Sequence, residues 1–293
     1  VRFICFILAA VTFTKSYQGR TIKSKVGLSV NFTWTFSGDV GAVDWGIKRA
    51  GVTNDFKSNG KILSLNKNGA QTFLNPGYVS RVTGSRSGNL KSGEVFFSLN
   101  AISKQDANYY LCIIRAGFGL SDLYDDVRLI VEERPIIISP NSVELSYNER
   151  EAVNIRCEAI AKPEPDVRWI HHGQVKSYGN KTAELTFKTI TKSDAGVYTC
   201  RANNSAGTAE KKLRLAIKYP AVIQGLTSST SMSCIGHTVT LTCKSDAFPI
   251  PTLTWYKPDG TNFNVVKATE STVLLTMNSS VDFGLYNCTA DNG

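Results

Sequence analysis

The chain is predicted to be an all-β protein built from three tandem β-sandwiches, and two observations support this. With 293 residues and 42% hydrophobic content, it is long enough for three units of about one hundred residues, each with its own core. An Asp-x-x-x-Tyr-x-Cys motif also occurs three times, at intervals of 88 residues. The three cysteines of this motif are Cys112, Cys200 and Cys288.

The residues before two of these motifs complete the pattern of an immunoglobulin-like sandwich. Trp169 follows Cys157 by twelve residues, and Trp255 follows Cys243 by the same distance. In such a sandwich two cysteines bridge the sheets, the Trp packs on the bridge, and the motif Tyr closes a corner through its hydroxyl. The predicted disulfides are Cys157–Cys200 and Cys243–Cys288.

The first unit keeps this frame but lacks the disulfide. Trp34 stands where the first Cys would be, and Trp45 follows eleven residues later. A buried Trp can bring apolar burial comparable with the ~2 to 4 kcal/mol that such a bridge contributes. We therefore expect Cys112 to be a reduced thiol buried beside Trp34. Arg81 lies 25 residues before Asp106, a spacing typical of the salt bridge under variable-type sandwiches.

Length distinguishes the first unit further. From the strand-C Trp to the motif Cys there are 67 residues, against 31 and 33 in the other two units. The surplus is enough for strands C′ and C″, with residues 61–65 and 71–74 as candidates. We predict a variable-set-like sandwich over 17–133, an intermediate-set-like sandwich over 134–218, and a similar one over 219–293 that is C-terminally incomplete.

The first sixteen residues predict a secretory signal peptide. Arg2 precedes a mostly apolar run over residues 3–13, which has the length of a signal core and is too short to span a bilayer. Thr14 and Ser16 are small residues at the −3 and −1 positions of a cleavage site after Ser16, and Cys5 would leave with this segment. The alternative is a buried first strand.

Cysteines and sequons agree with export. We expect Cys234 to pair with a Cys beyond residue 293 in preference to a Cys of a second chain. Asn-x-Ser/Thr sequons predict glycosylation at five positions. These are Asn31, Asn180, Asn203, Asn278 and Asn287.

The sequence offers no catalytic, cofactor or metal site. Motifs of serine hydrolases, zinc proteases and phosphate-binding loops are absent from it. His171 and His172 are adjacent, so on a strand they point to opposite faces, and we interpret them as solvated surface residues. We therefore predict no enzyme, and no nucleic-acid partner outside the cell.

The net charge of +9 is spread along the chain. One basic group in the second sandwich could make a weak contact with a sulfated glycan, although a solvated strand face is the alternative that alternation favours. This group comprises Arg201, Lys211, Lys212 and Arg214.

Strand alternation predicts a recognition surface on the first sandwich. On strand F, Leu111, Ile113 and Arg115 alternate with inward residues and are expected to face solvent on the GFCC′ sheet. Strand C is expected to add a charged rim to this apolar centre. The alternative is that strand C″ or the loop at 117–119 covers it. The strand C residues are Asp44, Gly46 and Lys48.

Sequon placement favours this surface. Asn31 lies between inward residues of strand B, so a glycan there would cover the opposite sheet and leave the GFCC′ face open. Asn287 would instead place a glycan on the equivalent face of the third sandwich.

After the signal peptide, the chain resembles a tandem immunoglobulin-superfamily ectodomain. The variable-like first sandwich without its first Cys (VNFTWTF, 30–36), two further sandwiches and the extra Cys234 are similar to the cnidarian allorecognition transmembrane proteins. That resemblance implies homophilic binding, between the same or allelic chains on opposing cells, through the first sandwich at the tip. It also implies a cell-surface location and a membrane anchor beyond residue 293.

Two other functions remain open. The chain could be the ectodomain of a receptor for a soluble ligand, with glycan contacts assisting. It could also be a structural array like those of intracellular muscle proteins, which the signal peptide, sequons and disulfides argue against.

Overall fold

A computed structural model describes residues 12–38, 40–89, 92–117 and 120–293. They form two compact units. The first comprises the chain up to residue 136 with segments 160–165 and 203–208, and the second comprises the rest. The described helices are single 3-10 turns, at Pro76–Tyr78, Lys104–Asp106, Lys192–Asp194 and Ser280–Asp282. The predicted all-β fold of three immunoglobulin-like sandwiches is confirmed.

The first unit contains the first sandwich. One sheet has the strand order β1-β3-β8-β7, and the other has the order β10-β9-β4-β5-β6 with β2 parallel to β10. The predicted C′ and C″ strands are present as β5 and β6. The strands are β1 (Thr12–Lys15), β2 (Thr21–Lys25), β3 (Val30–Ser37), β4 (Val40–Lys48), β5 (Phe56–Asn66), β6 (Gln71–Phe73), β7 (Val82–Asn89), β8 (Ser92–Leu99), β9 (Tyr109–Ala116) and β10 (Leu123–Ser139).

The core of this sandwich is aromatic. The Trp45 ring lies between the rings of Phe97 and Tyr110, with both centroids 5.1 Å away and nearly parallel planes. Phe32 packs against Trp45 and Tyr110 at 5.4 Å. These contacts bury large apolar surfaces at the place where the other sandwiches have a disulfide, as predicted.

A hydrogen bond between the two sheets accompanies this substitution. Trp34 on β3 is fully buried, and its Nε1 donates to Asp125 Oδ2 of β10 at 2.6 Å. Cys112 is opposite Asp125 in the strand register and is buried without a disulfide partner, as expected, and its reduced state stays a prediction. Burial, and then the charges of Asp125 and Asp44, raise the pKa of the Cys112 thiol.

The corner and base of the sandwich follow the sequence prediction. Arg81 forms a salt bridge with Asp106, which is buried. Tyr110 Oη donates to the backbone oxygen of Asp106 at 2.9 Å. The other two motif copies repeat this bond, from Tyr198 Oη to Asp194 O at 2.9 Å and from Tyr286 Oη to Asp282 O at 3.0 Å.

Strand β1 lies inside the segment predicted as a signal peptide. It pairs antiparallel with β3, from Thr12 opposite Ser37 to Lys15 opposite Thr35. These four residues thus form a strand, as in the alternative interpretation, but the strand is not buried, because only Phe13 among them is half-buried. Residues 1–11 lie outside the described residues, and cleavage after Ser16 stays a prediction.

The second unit contains the second and third sandwiches. Two of its sheets have the strand orders β14-β13-β16-β17-β18-β21 and β20-β19-β22, and β11 pairs parallel with β17. Strands β15 and β12 continue the order next to β10, whose residues 137–139 belong to this unit. The strands are β11 (Glu144–Asn148), β12 (Val153–Lys162), β13 (Asp166–His171), β14 (Gln174–Asn180), β15 (Thr182–Phe187), β16 (Gly196–Asn204), β17 (Gly207–Ser228), β18 (Thr238–Phe248), β19 (Thr252–Tyr256), β20 (Asn262–Lys267), β21 (Glu270–Thr276) and β22 (Asn287–Asp291).

Both predicted disulfides of the second unit are formed. Cα atoms are 6.0 Å apart in Cys157–Cys200 and 6.5 Å apart in Cys243–Cys288, as expected for bridged strands. Trp169 and Trp255 are buried beside them in the two cores. Cys234 is free and exposed.

The segments that connect the sandwiches, residues 132–135 and 218–220, are called linkers here; both are extended, because they lie within β10 and β17. An asparagine four residues after each disulfide Cys binds the linker backbone. Asn204 Nδ2 donates to the oxygens of Glu133 and Pro163, both at 2.8 Å. Asn292 Nδ2 donates to Tyr219 O at 2.8 Å and to Pro249 O at 3.4 Å. The 88-residue spacing of the two asparagines is the sequence signal that could have revealed this role.

Candidate functional site

The candidate site is the outer face of the sheet that contains β10, β9, β4 and β5. On β9, Tyr110, Cys112 and Ile114 point into the core, so the residues between them belong to the outer face. We define the outer face by Asp44, Lys48, Lys61, Ser64, Tyr109, Leu111, Ile113, Arg115, Tyr124, Asp126 and Arg128.

The predicted exposure of Leu111 and Ile113 is wrong. They belong to the outer face, but their exposed fractions are 0% and 3%. Strand β9 lies between β4 and β10, and Lys48 of β4 forms an ion pair with Asp126 of β10 at 3.1 Å. This pair joins the two flanking strands across β9, next to Leu111. Charged side chains therefore cover the apolar centre that we expected to be open.

Asp44 is the centre of a polar network beside Ile113. Its side chain points outward as predicted, but the residue is only 3% exposed. Asp44 Oδ1 accepts from Lys61 Nζ at 2.8 Å and from Ser64 Oγ at 2.7 Å, and Oδ2 accepts from Arg115 Nε at 3.0 Å. Burial raises the pKa of Asp44, but these donors and the Lys61 charge outweigh burial and lower it.

Arg115 carries the network to the edge of the face. Its Nη1 donates to Asp122 Oδ2 at 2.6 Å, and Asp122 Oδ1 also accepts from the Ala116 amide at 3.1 Å. Burial lowers the pKa of Arg115, but the hydrogen bonds to Asp122 and Asp44 raise it overall. The side chains of Lys61, Arg115 and Asp122 are 36%, 43% and 38% exposed, so a partner could reach them.

Gly46, predicted as a contact residue, has a packing role. A Cβ atom at Gly46 would lie 2.2 Å from the oxygen of Gly60 and 2.7 Å from the Lys61 Cα. The register of β4 and β5 shifts at this point, which brings the two backbones together. Only glycine fits there, and it offers a partner no side chain.

Two exposed tyrosines flank the network, and the sequence analysis missed both. Tyr124, opposite Ile113, is 49% exposed, and Tyr109 is 47% exposed. The Arg128 guanidinium lies 5.6 Å from the centroid of the Tyr109 ring. Alternation along β10 could have identified Tyr124, because the next residue, Asp125, points inward.

The sequons lie on accessible positions. Asn31 is exposed on β3, in the sheet opposite the outer face. Asn287 is exposed on β22. The side chains at Asn180, Asn203 and Asn278 are also exposed. Glycosylation of all five stays a prediction.

Basic residues of the second sandwich already have partners. Arg201 Nε forms an ion pair with Glu210 at 2.6 Å, and Lys211 Nζ donates to Asn141 O at 3.2 Å. These contacts weaken the possible sulfated-glycan site.

The interpretation of His171 as a solvated residue is wrong. It is 7% exposed, its ring stacks on Tyr198 with centroids 4.0 Å apart, and its Nδ1 is 3.0 Å from Val197 O. The described residues contain no cluster of three or more potential metal ligands. Within them, no helix has the length and apolarity needed to cross a bilayer.

Comparison with known sequences identifies two of the sandwiches. Residues 134–204 and 220–292 match the family described as immunoglobulin domain. The chain is 30% identical over 214 residues to hemicentin-1 of Mus musculus, and 28% identical over 218 residues to neural cell adhesion molecule 1 of Mus musculus. Each match covers 67% of this chain, but 4% of hemicentin-1 and 19% of the adhesion molecule.

Solved structures show the same architecture over 97% of the chain. Dpr2 Ig1-Ig2 in complex with DIP-Theta Ig1-Ig3 has a TM-score of 0.62 at 17% identity, and the match covers 95% of that chain. The titin I-band fragment I67-I69 has a TM-score of 0.58 at 20% identity, with 94% of that chain covered. At these identities the likeness shows the fold alone.

Proposed function

Since its second and third sandwiches belong to the immunoglobulin-domain family, we propose that this chain is the extracellular part of a cell-surface adhesion protein. Its first sandwich binds the same or an allelic chain on an opposing cell, as in allorecognition. A membrane anchor beyond residue 293 would hold it on the cell. One relative of the chain is, by its name, a cell adhesion molecule.

The observation that carries this proposal is the mixture of charges on the outer face. In a two-fold symmetric contact the same surface meets itself, so it must offer both partners of each ion pair. The outer face carries Lys61 and Arg115, and Asp122 at its edge is paired with Arg115; all three are partly exposed. A second copy could therefore exchange these ion pairs with the first, and electrostatic complementarity of this kind favours specificity.

Tyr109 and Tyr124 give this face its anchors. Tyrosine is enriched at protein interfaces because it combines a large apolar ring with a polar hydroxyl. In this proposal Leu111 and Ile113 stay buried under the charged side chains of the outer face and do not contact the partner. The exposed sequon at Asn31 lies on the other sheet, so a glycan there would leave the outer face free.

The test is an aggregation assay with beads coated with the whole chain. We expect identical chains to cluster and Tyr124→Asp to abolish clustering, because it removes an anchor and adds a charge. Tyr178→Asp is the matched control, since Tyr178 is 81% exposed on the second sandwich and should be neutral. Ile113→Asp is unsuitable because Ile113 is buried and the change would impair folding.

Absence of clustering at high bead density would refute homophilic binding, and equal loss in both variants would refute the assignment to the outer face. Mixed beads carrying allelic chains would test allele specificity. The alternative function, a receptor for a soluble ligand, predicts ligand capture without clustering. Its glycan-assisted form has less support, because Arg201 and Lys211 are already engaged.

A further inference from the structure

Asp125 is a buried carboxylate at the point where the N-terminal segment changes sheets. Strand β1 pairs with β3 in one sheet, and β2 pairs with β10 in the other. Between them, the backbone nitrogens of Tyr17 and Gln18 donate to Asp125 Oδ2 and Oδ1 at 2.6 and 2.8 Å. The third donor is Trp34 Nε1.

No basic side chain in the described part of the chain forms an ion pair with Asp125, which is 7% exposed. A buried carboxylate is costly unless hydrogen bonds or an opposite charge compensate it. Its closest backbone donor, Tyr17 N, is also the nitrogen that the predicted cleavage after Ser16 would release. One observed hydrogen bond and one sequence prediction thus concern the same atom.

We propose that removal of residues 1–16 creates an α-ammonium group at Tyr17 that forms a buried ion pair with Asp125. In the cleavage, water adds across the Ser16–Tyr17 peptide bond, so that Ser16 gains a carboxylate and Tyr17 an amine. Such an amine, with an ordinary pKa of about 7.7 to 8.0, takes up a proton at neutral pH. Processing would then stabilise the one sandwich that lacks a disulfide. This inference rests on the extracellular location in the proposed function, but it does not depend on homophilic binding.

The new N-terminus would be held in place without β1. The Tyr17 ring packs edge-on against Trp34 with centroids 5.1 Å apart, and Tyr17 Oη accepts from the Thr33 amide at 3.1 Å. The Gly19 amide donates to Asp126 O at 2.9 Å. Cleavage would remove β1 and its pairing with β3; the β1 side chains are exposed apart from Phe13, which is half-buried against the core.

The first experiment determines the N-terminus of the chain secreted with its own leader. We expect Tyr17 to be the first residue. A mature chain that begins upstream of Tyr17 would overturn the proposal, because no ammonium group would then lie beside Asp125.

The second experiment compares chains that begin at Tyr17 with chains that carry Gly-Ser before Tyr17, each made with a heterologous leader. The extension moves the ammonium group away, and we expect it to lower the thermal midpoint of the first sandwich by about 4 to 8 °C. Hydrogen exchange of peptides from β3 and β10 assigns the transition. When both kinds of chain also carry Asp125→Asn, they should be equally stable, because the ion pair is absent from both.

Asp55→Asn is the matched control. Asp55 is an exposed carboxylate paired with Arg49. Its loss should leave unchanged the difference in thermal midpoint between the chain that begins at Tyr17 and the Gly-Ser-extended chain. The proposal would be overturned if the Gly-Ser extension did not lower the thermal midpoint. It would also be overturned if the extension lowered the midpoint by the same amount in chains that carry Asp125→Asn. If Asp125→Asn does not fold, the proposal is decided by the two chains that keep Asp125, one beginning at Tyr17 and one with the Gly-Ser extension.

Discussion

The polar network on the outer face makes a quantitative prediction for Asp44→Asn. This variant keeps the shape of the side chain and removes its charge. Asp44 is 3% exposed and accepts from Lys61, Ser64 and Arg115, and a hydrogen bond to a charged group contributes about 1.5 to 3 kcal/mol.

Two features reduce that value. Lys61 and Arg115 are 36% and 43% exposed and can be hydrated once Asp44 is changed, and Arg115 keeps its ion pair with Asp122. Water screening leaves only a fraction of an exposed pair's energy. We therefore expect Asp44→Asn to lower the free energy of unfolding of the first sandwich by roughly 1 to 2.5 kcal/mol.

The effect should depend on pH with a definite sign. The pKa of Asp44 is lower in the folded chain than in the unfolded chain, where an Asp titrates near about 3.9. Its contribution is then fully present above about pH 5 and is lost as the pH falls through the folded pKa. The difference between wild type and Asp44→Asn should be constant from pH 5 to 8 and should shrink below about pH 4.

Hydrogen exchange of β4 and β9 peptides in the whole chain measures this local stability. Asp55→Asn, which removes an exposed carboxylate of the same sandwich, is the control and should change it by less than about 0.5 kcal/mol. The reasoning fails if Asp44→Asn behaves like the control at pH 7, or if its effect does not diminish at pH 3.5.

Three further predictions concern groups in the core and at the linkers. Trp34→Phe keeps most of the buried ring but removes a donor to Asp125. Denaturant unfolding should therefore show a free energy of unfolding lower by about 1 to 3 kcal/mol. An unchanged free energy would contradict the role of this bond. In a chain of residues 1–293, where Cys234 is free, iodoacetamide at pH 8 should label Cys234 within minutes and leave the buried Cys112 unmodified, as read by mass spectrometry. Labelling of both cysteines in the folded chain would contradict the buried thiol. Asn204→Asp removes the amide donor to two backbone oxygens, so limited proteolysis of the unglycosylated chain should cut near residues 132–135 faster than in wild type. Asn203→Asp in the same unglycosylated chain lacks this effect on the linker and serves as the control.

Much of the fold could be predicted because its signals are local. The motif spacing indicated three sandwiches, and residues such as Tyr198 and Cys200 have their roles set by one or two strands. The extra length before Cys112 indicated β5 and β6 for the same reason. Side-chain direction also followed from alternation, so Asp44 and Arg115 were assigned to the correct face.

Other contacts were beyond such an analysis because they join residues that are distant in sequence. The bond of Trp34 to Asp125 spans 91 residues, and that of Asn204 to Glu133 spans 71. Neither residue type specifies its partner. Packing of two sheets, or of a loop against a linker, brings these groups together.

The sequence by itself determined the class of fold, the two disulfides and the face to which each strand residue belongs, because a strand has a period of two. Only the tertiary structure decided which outer-face residues a partner could reach. Exposure depends on the side chains of neighbouring strands, and here the Lys48–Asp126 ion pair joins the strands on both sides of Leu111. The recognition surface is therefore a charged network with tyrosines at its sides, and its apolar residues lie beneath.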